Sequence, residues 1–297
     1  MDIIANKKKW FTVSAVIMLV GLLFALINGV NYGIDFTGGS LIEIELRRTI
    51  TPEEARLITD DFDAGANIKF LGDEKTIVQI RSIEDFDSDQ RLEIFNLFRD
   101  KYDLEETDFL RADKFGPAIG SEIRNRAFLA IIISSIGMLI YITFRFEIYY
   151  GIAAIVALFH DVAILLAVYS ILGIPINSPF VAAILTILGY SINDTIVVFD
   201  RVRENMRSIK KYNYAEVANK SISQTITRSI NTSLTTLLTI VALYIIGVEQ
   251  IREFALPLIA GILSGTYSSI FIASPVWVML KERKRRKIGY NPNVGTK

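Results

Sequence analysis

The sequence predicts a polytopic α-helical membrane protein with six transmembrane helices and one extracytoplasmic α+β domain inserted between helices one and two. The first observation is a set of six apolar stretches, each close to the ~20 helical residues that cross a bilayer core. The second is an acidic segment, 30–126, with 22 Asp and Glu against 13 Lys and Arg in a chain of 297 residues and zero net charge. Because hydrocarbon offers the backbone no hydrogen-bond partner, the apolar stretches must be helical and the acidic segment must lie outside the bilayer.

The composition narrows the possible chemistry. With 51% hydrophobic and 22% charged residues, the chain is neither disordered nor a typical basic nucleic-acid binder. The absence of cysteine excludes disulfides, thiol nucleophiles and thiolate metal sites, and a single histidine leaves little for zinc. Oxygen ligands for hard cations remain an open alternative.

Six segments pass the length test for a membrane span. Four contain no charged residue, whereas the third carries His160 and Asp161 and the fourth carries Asp194. A cleaved signal peptide is the alternative for the first segment. Its apolar run exceeds the usual length of about 7 to 15 residues and no small-x-small site ends it, so we expect a retained anchor. The spans are predicted at residues 10–29, 127–144, 148–172, 174–199, 229–248 and 254–280.

Basic residues beside the spans predict their orientation. Lys and Arg near span ends favour the cytoplasmic side, and with six spans nearly all of them fall on one side. Both termini are therefore expected in the cytoplasm. The predicted parts are an amino-terminal region with the first span (1–29), an extracytoplasmic domain (30–126), a five-helix bundle (127–280) with a cytoplasmic loop (200–228), and a basic cytoplasmic tail (281–297).

The acidic segment has the element order β-α-β-β-α-β, which is that of a ferredoxin-like α+β domain. Apolar residues alternate along the first strand, and the first helix begins at Thr51 with a proline in its first turn. Strands are predicted at 40–46, 67–71, 76–81 and 108–115, with helices from residue 51 and over 88–102.

Two features of this domain invite comparison with ligand sites. Glu43 with Glu45, or the acidic run 60–63, offers oxygen ligands for calcium, but the spacing lacks the turn glycine and distal glutamate of a hand-type loop. A solvated acidic surface is the favoured interpretation. The glycine-rich loop 33–39 lacks Gly-Lys-Ser/Thr and runs into a strand, so a tight turn is favoured over a phosphate loop. No metal site is predicted.

Ionisable side chains within spans are costly and are therefore functional candidates. Asp194 shares a face of the fourth span with Asn193 and several small residues, so it should face protein or water. On the fifth span Arg228 belongs to a stripe of hydroxyl residues that includes Thr232, and its depth brings its side chain within reach of Asp194. An Asp194–Arg228 pair is the hypothesis. The alternatives are an arginine that snorkels to the headgroups and a carboxylate that bonds a neighbouring hydroxyl.

Two further patterns concern helix packing. His160 and Asp161 lie on a face rich in alanine, which fits either a satisfied internal hydrogen bond between helices or proton transfer. The sixth span repeats small residues every fourth position, from Ala260 and Gly261 to Ser269, and such ladders indicate close helix approach.

A carboxylate and an arginine on neighbouring helices would respond to helix movement. Desolvation strengthens the hold of a carboxylate on its proton and a nearby cation weakens it, so relative movement changes the proton affinity. If water reaches the site from alternate sides, proton passage is coupled to shape. Each charge crossing 100 mV is worth about 2.3 kcal/mol, enough to bias a two-state movement. A carboxylate among hydroxyls serves sodium as well, so the choice of ion stays open.

Several motifs together resemble the SecD/SecF family of bacterial protein-export membrane proteins, within the resistance-nodulation-division superfamily. The resemblance covers nearly the whole chain and is to the smaller subunit of that family. The motifs are the loop 33–39, residues 115–120, His160-Asp161, 189–195 with its continuation 199–205, and 227–229 followed by 232–236.

The resemblance implies a non-enzymatic subunit of the cytoplasmic membrane that works with SecD. Together they would use the proton-motive force to pull or release unfolded polypeptides leaving the SecYEG channel after SecA has pushed them. SecD would supply the matching six spans, and no cofactor beyond the gradient is implied. The family's proton-linked aspartate and arginine fall on Asp194 and Arg228. Supporting residues are Asn193, Thr195, His160, Asp161 and Thr232.

Two other functions stay open. One is a self-sufficient exporter of lipids or small molecules on the same scaffold, which would need a large apolar pocket in the outer domain. The other is a passive assembly factor for membrane proteins, which needs no ion coupling.

Overall fold

The computed structural model describes residues 2–72, 74–208 and 213–287, and these residues form two compact units. One is an α+β domain made of Tyr32–Leu129 together with the short connection Pro175–Ser178. The remaining residues form a helical bundle. The elements in chain order are α1 (Lys7–Asn28), α2 (Ile34–Thr37), β1 (Gly39–Glu45), α3 (Pro52–Asp63), β2 (Asn67–Leu71), β3 (Ile77–Ser82), α4 (Ser88–Tyr102), β4 (Phe109–Phe115), α5 (Pro117–Arg145), α6 (Ile148–Leu172), α7 (Ser178–Ser208), α8 (Tyr214–Ile246), α9 (Glu249–Ser268) and α10 (Ser274–Lys287).

The described residues contain six helical segments long and apolar enough to cross a membrane, which confirms the predicted number of spans. The last segment is continuous through α9, a π-helical turn (Ser269–Ala273) and α10. Several helices run beyond the apolar stretches that predicted them, because a helix bonds its own backbone wherever the sequence permits and need not end at the bilayer. Thus α7 and α8 extend through most of the region 200–228 that was expected as a loop. Residues 209–212, and the predicted tail beyond 287, lie outside the described residues.

The sheet of the α+β domain has the strand order β2-β3-β1-β4, with every neighbouring pair antiparallel. This is the order expected of a ferredoxin-like domain. Ile42 pairs with Ile80 and Ile44 with Val78, so their side chains point to the same face, where α3 and α4 close the core. Phe98 on α4 is fully buried there.

Local chemistry explains the boundaries of this domain. Thr51 and Glu54 form a capping box at the start of α3, and Asp87 with Gln90 does the same for α4. At the end of β1, Arg47 reaches the segment before β4, where its side-chain hydrogen bonds to Glu105 and then Asp108 raise the pKa of Arg47.

The two candidate ligand features of this domain have structural roles. Glu43 is buried instead of solvated, and it accepts a hydrogen bond of 2.6 Å from Nε2 of Gln79. Among the described residues no group of three or more His, Asp and Glu is placed to hold a metal ion. The loop 33–39 makes the tight turn: Gly39 has φ +124°, and a Cβ there would lie 2.1 Å from the carbonyl oxygen of Ser82.

Small residues allow the close helix contacts of the bundle. A Cβ on Gly21 of α1 would lie 2.3 Å from Cβ of Ala167 on α6. A Cβ on Gly261 of α9 would lie 2.1 Å from Cδ1 of Ile187 on α7, and one on Gly265 would lie 2.9 Å from Cβ of Ser191. The ladder of small residues in the sixth span is therefore a helix-packing surface, as predicted.

We expect Gly21→Ala to destabilise the bundle, since the added methyl group would lie only 2.4 Å from Cα of Ala167 and the two backbones must separate. Overpacking of this kind costs about 1–3 kcal/mol. Gly137→Ala on α5 is the matched control, because nothing lies within 4 Å of its Cβ. Thermal unfolding of the detergent-solubilised protein measures both, and equal midpoints would contradict the close contact.

Candidate functional site

The carboxylate of Asp194 lies inside the bundle on α7. The residue is only 5% exposed, and its Oδ2 is buried without a hydrogen-bond partner. On the neighbouring helix α8, the side chains of Ser229 and Arg228 interact electrostatically with this carboxylate. The hydroxyl of Ser229 is likewise buried and lies beside this carboxylate, but the two do not form a hydrogen bond of standard length and angle. Asp194 thus has one oxygen free to take a proton.

Arg228 lies near Asp194 but forms no ion pair with it within the described part of the chain. Its side chain is exposed and lines a cavity of about 520 Å³ between the last turns of α7 and the first half of α8. The end of the bundle where α7 ends and α8 begins is hereafter called the basic end. Arg201 and Arg207 line the same cavity. The structure therefore brings the two predicted residues together on neighbouring helices, with the guanidinium oriented toward the basic end.

The burial pattern of α7 is not that of a helix whose exposed face meets lipid. Its apolar residues, among them Ile184 and Leu188, are buried in the bundle. Several small and polar residues are left open, including Thr186, Gly189 and Asn193, whereas Ser191 and Thr195 are buried. Asn193 therefore lies beside Asp194 in sequence but on an open face of this chain.

Thr195 and Thr232, predicted as supporting residues, make different contacts. Thr195 is buried, and its Oγ1 lies 2.8 Å from Oγ of Ser269 in the π-helical turn. Thr232 is exposed, and its hydroxyl donates to the carbonyl oxygen of Arg228 within α8. Neither hydroxyl bonds Asp194.

A second carboxylate, that of Asp161 on α6, occupies a very different environment. Oγ of Ser191 on α7 and Oγ of Ser268 on α9 each donate to its Oδ2 at 2.7 Å. Oγ of Ser264 donates to Oδ1 at 2.7 Å, and Nδ1 of His160 lies 3.1 Å from the same oxygen. Asp161 is 1% exposed, so these four groups are its surroundings.

The histidine extends this network to the first helix. Nε2 of His160 lies 2.8 Å from Oγ of Ser14 on α1, and the imidazole stacks on the ring of Tyr267. The hydroxyl of Tyr267 donates to the carbonyl oxygen of Trp10. The geometry contains a satisfied internal hydrogen bond, which is one of the two interpretations of His160 and Asp161.

The two carboxylates are chemically distinct. Each oxygen of Asp161 has two hydrogen-bonding neighbours, which together are three serine hydroxyls and the imidazole of His160. Asp194 lacks such donors. Sequence reasoning missed the serines that hold Asp161, although Ser264 and Ser268 are spaced four residues apart in the ladder of the sixth span, which places both hydroxyls on one helix face.

The described residues contain six membrane-length helices, one ferredoxin-like domain and, within the helical bundle, two buried aspartates. Together these features define a polytopic membrane protein with ionisable groups in its core. A family model described as "Protein export membrane protein SecD/SecF, C-terminal" matches residues 97–283, and a second, "SecD/SecF GG Motif", matches residues 24–50. The chain belongs to the SecD/SecF family of protein-export membrane proteins.

Individual relatives agree with this assignment. The chain is 38% identical over 278 residues to protein translocase subunit SecF of Desulfurispirillum indicum, covering 91% of this chain and 88% of the relative. It is 39% identical over 279 residues to SecDF of Thermus thermophilus, covering 90% of this chain but 36% of the relative. A crystal structure of that SecDF, described as a translocon-associated membrane protein, matches with a TM-score of 0.87 and 36% identity over 95% of this chain and 39% of its own. The chain thus spans about a third of the fused relatives.

We expect the two carboxylates to differ in their effect on stability. Asp161→Asn replaces one oxygen of a carboxylate to which three serine hydroxyls donate, so it should lower the free energy of unfolding by about 1–3 kcal/mol. Asp194→Asn removes no hydrogen bond and should change it by less than about 1 kcal/mol. Thermal unfolding in detergent compares the two, and a larger loss for the Asp194 variant would contradict the described network.

Proposed function

We propose that this chain is the SecF-type subunit of a protein translocase. With SecD it couples the proton-motive force to late translocation or release of polypeptides across the cytoplasmic membrane. The observation that carries the proposal is the buried carboxylate of Asp194, with one unpartnered oxygen, next to Arg228 on the neighbouring helix. Relatives of the chain are named protein translocase subunits, and we propose transport rather than an enzymatic reaction.

Proton coupling follows from the position of Asp194 between α7 and α8. A proton that binds Oδ2 removes the negative charge, and with it the attraction between the carboxylate and Arg228. Loss of that proton restores the attraction. When the proton enters from one side of the membrane and leaves to the other, each cycle alters the force between α7 and α8. A sodium ion among the same oxygens is the alternative ion.

SecD is the proposed partner in the membrane. Two relatives carry both parts in one chain under the name SecDF. The open face of α7 with Thr186, Gly189 and Asn193 suits a protein helix better than lipid, because small residues allow close approach. Residues of α5 such as Phe144, which is 93% exposed, offer further apolar surface. SecYEG, SecA acting upstream, and an unfolded polypeptide near the α+β domain are the remaining proposed partners.

A cytoplasmic location of both ends is also proposed. The amino-terminal segment lies at the basic end of the bundle, where the backbone N–H groups of Ile3 and Ile4 donate to Oδ1 of Asn219 on α8. Two hydrogen bonds lower the pKa of Asp2. The one from the backbone N–H of Ala5 has the larger effect, and the other comes from the side-chain amide of Asn219. Clustered Arg and Lys at this end favour the cytoplasmic side.

Asp194→Asn tests the function. Asparagine keeps the shape but cannot bind and release a proton, so the gradient-dependent part of export should be lost while the SecA-driven part remains. Export is measured in inverted membrane vesicles that contain this chain, SecD and the channel, with and without a proton gradient.

Asp200→Asn is the matched control, because Asp200 lies on the same helix, is partly exposed and pairs with Arg203. It should retain gradient-dependent export. Full gradient dependence in the Asp194→Asn variant would contradict the coupling mechanism and favour a passive assembly factor.

A further inference from the structure

The network around Asp161 holds the helix that carries Asp194. Ser191 and Asp194 are three residues apart on α7, so they lie about one turn apart along the axis and roughly 60° apart around it. Ser191 Oγ donates to Oδ2 of Asp161 at 2.7 Å, and the backbone carbonyl of Ser191 accepts from Oγ of Ser269 at 3.3 Å. A hydrogen bond at Ser191 therefore fixes both the rotation and the height of Asp194.

Several directional contacts at this level of α7 lie on the side of α6 and α9. Besides Ser191, the buried hydroxyl of Thr195 meets Ser269, and Gly265 lets α9 approach Ser191 closely. Toward α8, the oxygen Oδ2 of Asp194 and the hydroxyl of Ser229 form no hydrogen bond. The position of Asp194 is thus set from the far side of its own helix.

We propose that Asp161 is a positioning residue that acts through Ser191 to set the proton affinity of Asp194. The consequence for export rests on the proposed function. The placement of Asp194 does not rest on the proposed function, since that placement follows from the hydrogen bonds alone.

The ionisable groups that face the two carboxylates are few in the described part of the chain. His160 and, stacked on it, Tyr267 lie beside Asp161. Arg228 acts on Asp194 from α8, and Tyr190 on α7 bonds Thr236 of α8 through its hydroxyl. Substitution of Ser191 changes none of these groups.

Two serines provide a matched pair for the test. Ser191→Ala and Ser268→Ala each remove one hydroxyl that donates to the same oxygen of Asp161 at 2.7 Å. Only Ser191 lies on the helix of Asp194. A general loosening of the bundle would affect both variants alike, whereas positioning through Ser191 affects one.

The readout is modification by a hydrophobic carbodiimide, which adds to protonated carboxyl groups within membranes, followed by mass spectrometry of the intact protein in vesicles at a series of pH values. We expect Asp194 to be modified. Ser191→Ala should shift the pH of half-maximal modification of Asp194 by about half to one unit, the equivalent of one lost hydrogen bond. Ser268→Ala should leave it unchanged.

Ser191→Thr keeps the hydroxyl and should restore the original midpoint. If Ser191→Ala does not accumulate, Ser191→Cys replaces it, and its weaker donor should shift the midpoint in the same direction. Equal midpoints in the Ser191 and Ser268 variants would overturn the inference. Failure of the proposed function is seen separately, as gradient-dependent export that survives Asp194→Asn.

Discussion

One buried carboxylate, that of Asp161, hydrogen-bonds three serine hydroxyls and the imidazole of His160, and the bundle depends on this network. A charged group at this depth would cost several kcal/mol if its oxygens had no donors. Asp161 avoids that cost only when Ser191, Ser264 and Ser268 approach within 2.7 Å, which fixes the distances between α6, α7 and α9. The glycines that face α7 permit this approach, so packing and polar satisfaction depend on each other.

A single bundle therefore contains two carboxylates with different chemistry. Each oxygen of Asp161 has two hydrogen-bonding neighbours, whereas Asp194 on the next helix keeps an oxygen without a partner. The difference arises from neighbours, since both residues are aspartates within membrane-length helices. The hydrogen bonds of Asp161 hold α7 on one side. Toward α8, the carboxylate of Asp194 is left able to change its interactions.

The fold also explains why the chain has surfaces suited to another protein. Hydroxyls and small side chains on the open face of α7 gain little from contact with lipid tails, and α5 packs few of its apolar residues within this chain. Fused relatives carry additional sequence, since this chain covers only 36% of SecDF of Thermus thermophilus. The α+β domain, by contrast, closes its own core around Phe98 and needs no further element to do so.

The sequence by itself determined the membrane spans, the β-α-β-β-α-β order and the candidate pair Asp194 and Arg228. Each of these follows from local periodicity, apolar length or the rarity of charges in hydrocarbon. Only the tertiary structure decided that Asp161 is saturated, that Glu43 is buried, and that Arg228 lines a cavity without an ion pair to Asp194. The reason is that the partners of Asp161 come from α7 and α9, far away in sequence, and their distances depend on how the helices pack.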